Sequence, residues 1–166
     1  MAGTYSFDVT TGCDLQEVDN AVNQAAKEVA QRFDFKGSHV LVEFKRAENL
    51  VHLEAEGEMR SEALLDVLRG KLVKRGVSVK NLEFTDPKPG SHEILRSEVK
   101  LKMALDAETA KKVSAALKEA KLKKVTASIQ GDQVRVSSPD KDALQEAIAL
   151  LRKGDFGVEL QFGNYR

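Results

Sequence analysis

Arg32, Phe33, Asp34, Phe35 and Lys36 alternate charged and aromatic side chains, and Gly37 ends the run. Such a stretch has the chemistry to grip a nucleotide. Guanidinium and ammonium groups neutralise phosphates, a carboxylate accepts N–H bonds from a base edge, and rings stack on bases. It also fits a helix end whose rings enter a core. The preceding segment carries Val18, Val22, Ala25, Val29 and Phe33 at helical spacing. That periodicity puts Phe33 on the buried stripe, with Phe35 covering the end of the core. Arg32, Asp34 and Lys36 are then left for a ligand.

Further cations stand at helix ends. KLVKRG places Lys71, Lys74 and Arg75 within one turn, and KEAKLKKV adds Lys118, Lys121, Lys123 and Lys124. A helix C-terminus attracts cations through its dipole in any case, so Lys71, Lys74 and Arg75 rank as secondary candidates. The closing QFGNYR keeps Tyr165 and Arg166 where chain ends usually fray, so a sheet edge or a partner is expected to hold them.

Catalytic patterns are missing. His39, His52 and His92 lack metal-ligand spacing, Cys13 has no histidine beside it, and neither a Walker-type loop nor a nucleophile elbow occurs. GDFG (residues 154–157) lacks the other kinase signatures and reads as a turn with a buried ring. The expectation is a non-enzymatic protein with no catalytic residue, metal or cofactor.

The elements that position these residues follow from period and punctuation. SFDVTT alternates as a strand, Asp14 with Glu17 opens a helix in capping-box fashion, and VLVEFKR and LVHLEAE read as paired strands. A second helix carries Leu64, Leu65, Leu68 and Leu72 and stops at Gly76, and NLEFTD is the next strand. DPKPGSH, residues 86–92, holds two of the three prolines and is the expected linker. The order then repeats. A long strand EILRSEVKLKMAL is followed by a helix capped by Asp106, a hairpin at Gly131-Asp132, a helix opened by Ser138-Pro139, and a last strand VELQF.

Each half therefore reads β-α-β-β-α-β. The expected fold class is α+β, a tandem of two ferredoxin-like domains. Each has a four-stranded antiparallel sheet with its helices on one face. The boundaries fall at 1–88 and 92–166, with the N-terminal strand 5–11 able to pair with the second sheet instead. On the open face of the second sheet the alternation places Lys100, Lys102, Thr126, Ser128, Gln130, Gln133, Arg135, Ser137, Glu159 and Gln161, a polar surface with three cations and one acid. The first face, with Glu43, Glu54, Glu56 and Glu83, is acidic.

Composition limits the partners. The 26 Lys and Arg residues equal the 26 Asp and Glu residues, which argues against a binder dominated by the phosphate backbone. Residues 1–90 carry three more acids than bases and the remainder the reverse, so the C-terminal half is the better seat for an anion. There is no Trp, and the third strand of each half lacks the aromatics on which RNA-recognition motifs stack bases. A single cysteine excludes an intrachain disulfide and suits a reducing compartment. No apolar run approaches the roughly 18 residues of a membrane span, and no signal peptide is evident. The expectation is a cytoplasmic protein with no membrane partner.

SFDV, DLQEVDNAVNQAAKEV running into RFDFKG, LLDVLRGKLVKRGV, KLKKVTASIQGDQVRVSS and QFGNYR together resemble the bacterial YajQ family over nearly the whole chain. The resemblance implies tandem ferredoxin-like domains, a cytosolic location and nucleotide binding. It extends to cyclic di-GMP reception through a regulatory protein partner, with RNA binding also suggested for the family. It raises the weight on RFDFKG and IQGDQVRVS. The expected ligand-binding set is Arg32, Asp34, Lys36, Lys100, Lys102, Gln130 and Arg135, with Lys71, Lys74, Arg75, Tyr165 and Arg166 as secondary candidates. Cyclic di-GMP or GTP is the expected ligand, with an RNA-binding module and a protein-interaction adaptor as alternatives.

Overall fold

The computed structural model describes residues 3–122 and 124–166, so Lys123 of the KEAKLKKV cluster lies outside them. The fold is α+β, with two antiparallel sheets and four α-helices among the described residues. In chain order the elements are β1 (Tyr5–Thr10), α1 (Leu15–Gln31), β2 (Val40–Lys45), β3 (Leu50–Glu56), α2 (Gly57–Lys74) and β4 (Leu82–Phe84). After these come β5 (Lys88–Pro89), β6 (Ile94–Leu101), α3 (Ala107–Glu119), β7 (Thr126–Gln130), β8 (Gln133–Ser138), α4 (Lys141–Lys153) and β9 (Gln161–Gly163).

Two compact units share the chain: Cys13–Lys102 forms one, and Met1–Gly12 with Met103–Arg166 forms the other. The division expected at 86–92 is corrected by the strand pairing. Those residues form a hairpin in which β5 pairs with β6, Lys88 opposite Arg96 and Pro89 opposite Leu95. Gly90 closes the turn, its N–H donating to the Ile94 carbonyl at 2.7 Å. A Cβ at Gly90 would stand 3.0 Å from that same oxygen, so any side chain there pushes the carbonyl back by a few tenths of an ångström. Folding straight back is the shortest loop available, and it delivers β6 to the sheet that precedes it. β6 therefore lies between β3 and β4, giving the order β2-β3-β6-β4 with β5 beside β6.

The other sheet has the order β7-β8-β1-β9. β1 enters it antiparallel to both neighbours, with Phe7 opposite Val136 and Val9 opposite Val134 and Phe162. With β1 counted, this unit runs β1-α3-β7-β8-α4-β9, the ferredoxin-like succession. In the unit Cys13–Lys102, β6 takes the central place that β1 takes here. Each central strand thus reaches its sheet from outside the sequence half that surrounds it.

Both cores follow the amphipathic patterns. In the unit Cys13–Lys102, Val18, Val22, Ala25 and Val29 of α1 and Leu64, Leu68 and Leu72 of α2 are buried with Val51, Leu53 and Val99. In the other unit, Phe7, Val9, Val113, Val134, Val136, Ile148 and Leu151 are buried together. α1 and α3 start at side-chain caps: Asp14 accepts from Gln16 and Glu17 N–H, and Asp106 accepts from Thr109 N–H. At α4 the cap is Asp140 and not Ser138, whose hydroxyl accepts from Asp140 N–H one turn earlier.

RFDFKG also differs from expectation. α1 ends at Gln31 and a 3-10 turn covers Phe33–Phe35, so the helical phase is lost before Phe33. Phe35 is buried, while Phe33 is 87% exposed.

Candidate functional site

The open face of the sheet in Cys13–Lys102 is set by the alternation along β6. Ser97, Val99 and Leu101 turn inward and are buried, which leaves Arg96, Glu98 and Lys100 on the other side. Register places Arg96 opposite Glu54, Glu98 opposite His52, and Lys100 opposite Leu50 and Glu83. The hairpin to β5 brings Lys88 opposite Arg96. These groups frame a cleft of about 180 Å³ lined by His52, Thr85, Asp86, Lys88, Arg96, Ser97, Glu98 and Lys100.

Its edges are fixed by hydrogen bonds. The Thr85 hydroxyl donates to Glu98 O at 3.2 Å and accepts from Glu98 N–H at 2.9 Å, extending the pairing beyond β4. Glu54 gathers three groups beside the cleft. His52 Nε2 lies 2.7 Å from Oε2, His39 Nε2 lies 2.8 Å from Oε1, and Arg96 Nε lies 3.6 Å from Oε2. The His52 and His39 hydrogen bonds, with the charge of Arg96 behind them, hold the Glu54 carboxyl below its usual range against the opposing effect of burial. An ionised carboxylate only accepts, so each imidazole presents Nε2–H to it and both rings are pinned.

The remaining cations have less to do. Among the described residues neither Lys88 nor Lys100 has an ion-pair partner, and the Arg96 side chain is 58% exposed. Lys88 and Lys100 supply point charges and Arg96 a planar fork, the complement of a phosphate. Asp86 and Glu98 line the same cleft, and their carboxylates are able to accept hydrogen bonds from the N–H groups of a ligand. Arg96, Lys88 and His52 stand outside the set read from the sequence. The signal for Arg96 was its i, i+4 pairing with Lys100 on one strand face, whereas Lys88 and His52 reach the cleft only through the pairing of β5 and β3 with β6.

The sequence-derived candidates divide between the units. Arg32, Asp34, Lys36, Lys100 and Lys102 belong to Cys13–Lys102, whereas Gln130 and Arg135 belong to the other. Arg32 forks onto Asp34, Nε to Oδ1 at 3.0 Å and Nη2 to Oδ2 at 2.8 Å, and these bonds lower the Asp34 carboxyl. Lys36 is exposed beside them. Lys102 is held by its backbone, N–H to Asn81 O at 2.8 Å and O to Asn81 Nδ2 at 2.9 Å. Lys71 pairs with Glu28 at 3.1 Å and Arg75 with Glu17 at 3.9 Å, and Lys74 shares a hollow with Glu28, Asp66 and Lys71.

In the second unit the open face carries fewer cations than the alternation suggested, because Lys100 and Lys102 lie elsewhere and β1 brings Asp8. Arg135 Nε donates to Asp8 Oδ1 at 3.0 Å and Asn164 Nδ2 to Oδ2 at 2.7 Å. Asp8 is 5% exposed, and these two bonds lower its carboxyl, Arg135 foremost. Arg135 is thus engaged within the sheet. Gln130 is exposed at the hairpin opposite Gln133. The C-terminal segment is held by β1: Arg166 N–H donates to Ser6 O at 3.0 Å, and Tyr165 lies 6.3 Å from the Phe7 ring.

No helix of the described residues is long and apolar enough to cross a membrane. Residues 5–166 match the family described as nucleotide-binding protein YajQ-like. Proteins named nucleotide-binding protein align along the full chain. The one from Chloroherpeton thalassium is 43% identical over 166 residues, covering 100% of both chains. That from Thermobifida fusca is 46% identical over 166 residues, again 100% of both. That from Solibacter usitatus is 45% identical over 161 residues, 97% of this chain and 96% of its own.

Proposed function

This chain belongs to the YajQ-like family, and from that membership and the cleft beside β6 we propose that it is a non-enzymatic nucleotide-binding protein of the cytoplasm. The phosphate goes to Lys88, Arg96 and Lys100. The observation that carries this reading is the convergence of three cations, two of them without ion-pair partners among the described residues, on one small polar cleft.

Charge and size narrow the ligand. Against Lys88, Arg96 and Lys100 stand Asp86 and Glu98 in the cleft and the ionised Glu54 beside it, so the site carries little net charge. A phosphodiester, with one charge per phosphate, suits that balance better than a triphosphate. A cleft of about 180 Å³ is below the roughly 300 Å³ of a typical ligand pocket, so it takes a phosphate while the remainder lies over the sheet face. Asp86 and Glu98 suit the N1–H and amino group of guanine, which together present two adjacent donors to a carboxylate. These features favour a guanine cyclic dinucleotide such as cyclic di-GMP over GTP. A receptor of this kind acts by changing what a protein partner meets. A long RNA is a poorer fit, because Glu43, Glu54 and Glu56 on the same face repel a polyanion.

The test is titration calorimetry with cyclic di-GMP, GTP, ATP and a structured RNA at two salt concentrations. Saturable binding of cyclic di-GMP that survives salt, and is weakened by Lys88→Ala with Lys100→Ala, is the expected result. Binding of RNA alone, erased by salt, contradicts the proposal, as does nucleotide binding untouched by the double substitution.

A further inference from the structure

Phe33 and Met59 are each 87% exposed, unusual for large apolar side chains held on ordered elements. The turn bearing Phe33 is fixed from several directions. Arg32 forks onto Asp34, Arg60 Nε donates to the Asp34 carbonyl at 2.9 Å, and the Ser38 hydroxyl donates to Phe35 O at 2.6 Å. The Arg60 bond ties the turn to the first turns of α2, where Met59 sits. A hollow of about 620 Å³ lies where the two meet, lined by Asp34 of the turn and by Glu56, Gly57, Glu58, Met59, Arg60 and Ala63. Arg32 is ion-paired with Asp34 and Arg60 donates only to the Asp34 backbone carbonyl, whereas Glu56 and Glu58 have no ion-pair partner among the described residues. Among the groups that line the hollow, the three carboxylates Asp34, Glu56 and Glu58 outnumber the one cation, Arg60.

We propose that this surface docks a protein segment presenting a bulky apolar residue flanked by lysines or arginines. The exposed ring is a rigid anchor that loses little freedom on binding. The Met59 thioether adapts to the shape of the incoming side chain. Glu56 and Glu58 supply the charge complementarity that steers a basic partner and turns away acidic ones. A nucleic acid meets the same carboxylates as repulsion. The surface stands on its own geometry, whatever occupies the cleft beside β6.

The experiment uses the full chain, a dye-labelled amphipathic Lys/Leu peptide and its Glu/Leu counterpart, read by fluorescence anisotropy and amide shift mapping. The Lys/Leu peptide binds saturably and moves the Phe33, Glu58 and Met59 amides, while the Glu/Leu peptide does not bind. Phe33→Ser with Met59→Ser weakens binding about tenfold or more at unchanged Tm, and Glu56→Lys with Glu58→Lys reverses the preference. Lys88→Ala with Lys100→Ala leaves peptide binding intact, so failure of the nucleotide site and failure of this surface are distinguishable. No binding, equal binding of both peptides, shifts confined to another surface, or self-association through Phe33 would each overturn the proposal.

Discussion

Phe7→Ala is the substitution that most sharply tests which sheet β1 completes. Phe7 is 1% exposed, faces Val136 across the ladder, and meets Phe162 edge-on at a ring separation of 5.9 Å. Truncating a buried phenylalanine costs about 3–5 kcal/mol, transfer and cavity together. The lost T-shaped pair is included in that figure rather than added to it. A small domain has about 5–15 kcal/mol in total, so the unit built on β1 loses a large share of its stability. At roughly 4–8 °C per kcal/mol, its melting point falls by at least about 12 °C. Hydrogen exchange followed by mass spectrometry locates the loss. Amides of β7, β8 and β9 lose protection, while those of β2, β3 and β6 keep theirs. Loss of protection in β2, β3 and β6 with β8 unaffected would refute the assignment.

The Asp8–Arg135–Asn164 cluster gives a pH prediction. A carboxyl with a lowered folded value stabilises the fold above its unfolded value, near 3.9, and that contribution is lost as pH falls through the folded value. Urea midpoints measured from pH 7 to pH 3 therefore fall more steeply for the native chain than for Asp8→Asn. Asp8→Ala at pH 7 costs about 1–3 kcal/mol, toward the lower end because the Arg135 side chain is 30% exposed and rehydrates. Gly90→Ala sets a Cβ 3.0 Å from the Ile94 carbonyl and makes that carbonyl shift by a few tenths of an ångström, seen as faster exchange in β5 and β6. Thr85→Val removes both hydroxyl bonds to Glu98 and costs about 1–2 kcal/mol by urea titration.

Much of the architecture was legible because its signals are local. Asp14 and Asp106 announce helix starts, Gly131-Asp132 announces a hairpin, and the apolar stripes name the buried faces of α1 and α2. Strand partnership was not legible, since a period of two fixes a face but no neighbour. That is why β6 was counted with the wrong sheet, and why Lys100 and Lys102 were placed beside Arg135. The Asp8–Arg135 bond spans 127 residues, and no local pattern announces it. Phe33 failed for a different reason. Its spacing fits the α1 stripe, yet Arg32 adopts an extended backbone that breaks the helix, and the separate 3-10 turn that follows leaves the ring in solvent. The cleft was half visible: Lys100 was on the candidate face, while Arg96 and Lys88 became its neighbours only through the hairpin at 86–92.

The central claim is that a nucleotide phosphate seats between Lys88, Arg96 and Lys100. The most direct measurement is an amide and side-chain nitrogen NMR titration of the full chain with cyclic di-GMP. Saturating shifts concentrated at residues 85–100 and at the Arg96 guanidinium, absent in the Lys88→Ala, Lys100→Ala protein, are the predicted result. Shifts confined to β7 and β8, or a spectrum that the nucleotide leaves unchanged, would contradict it.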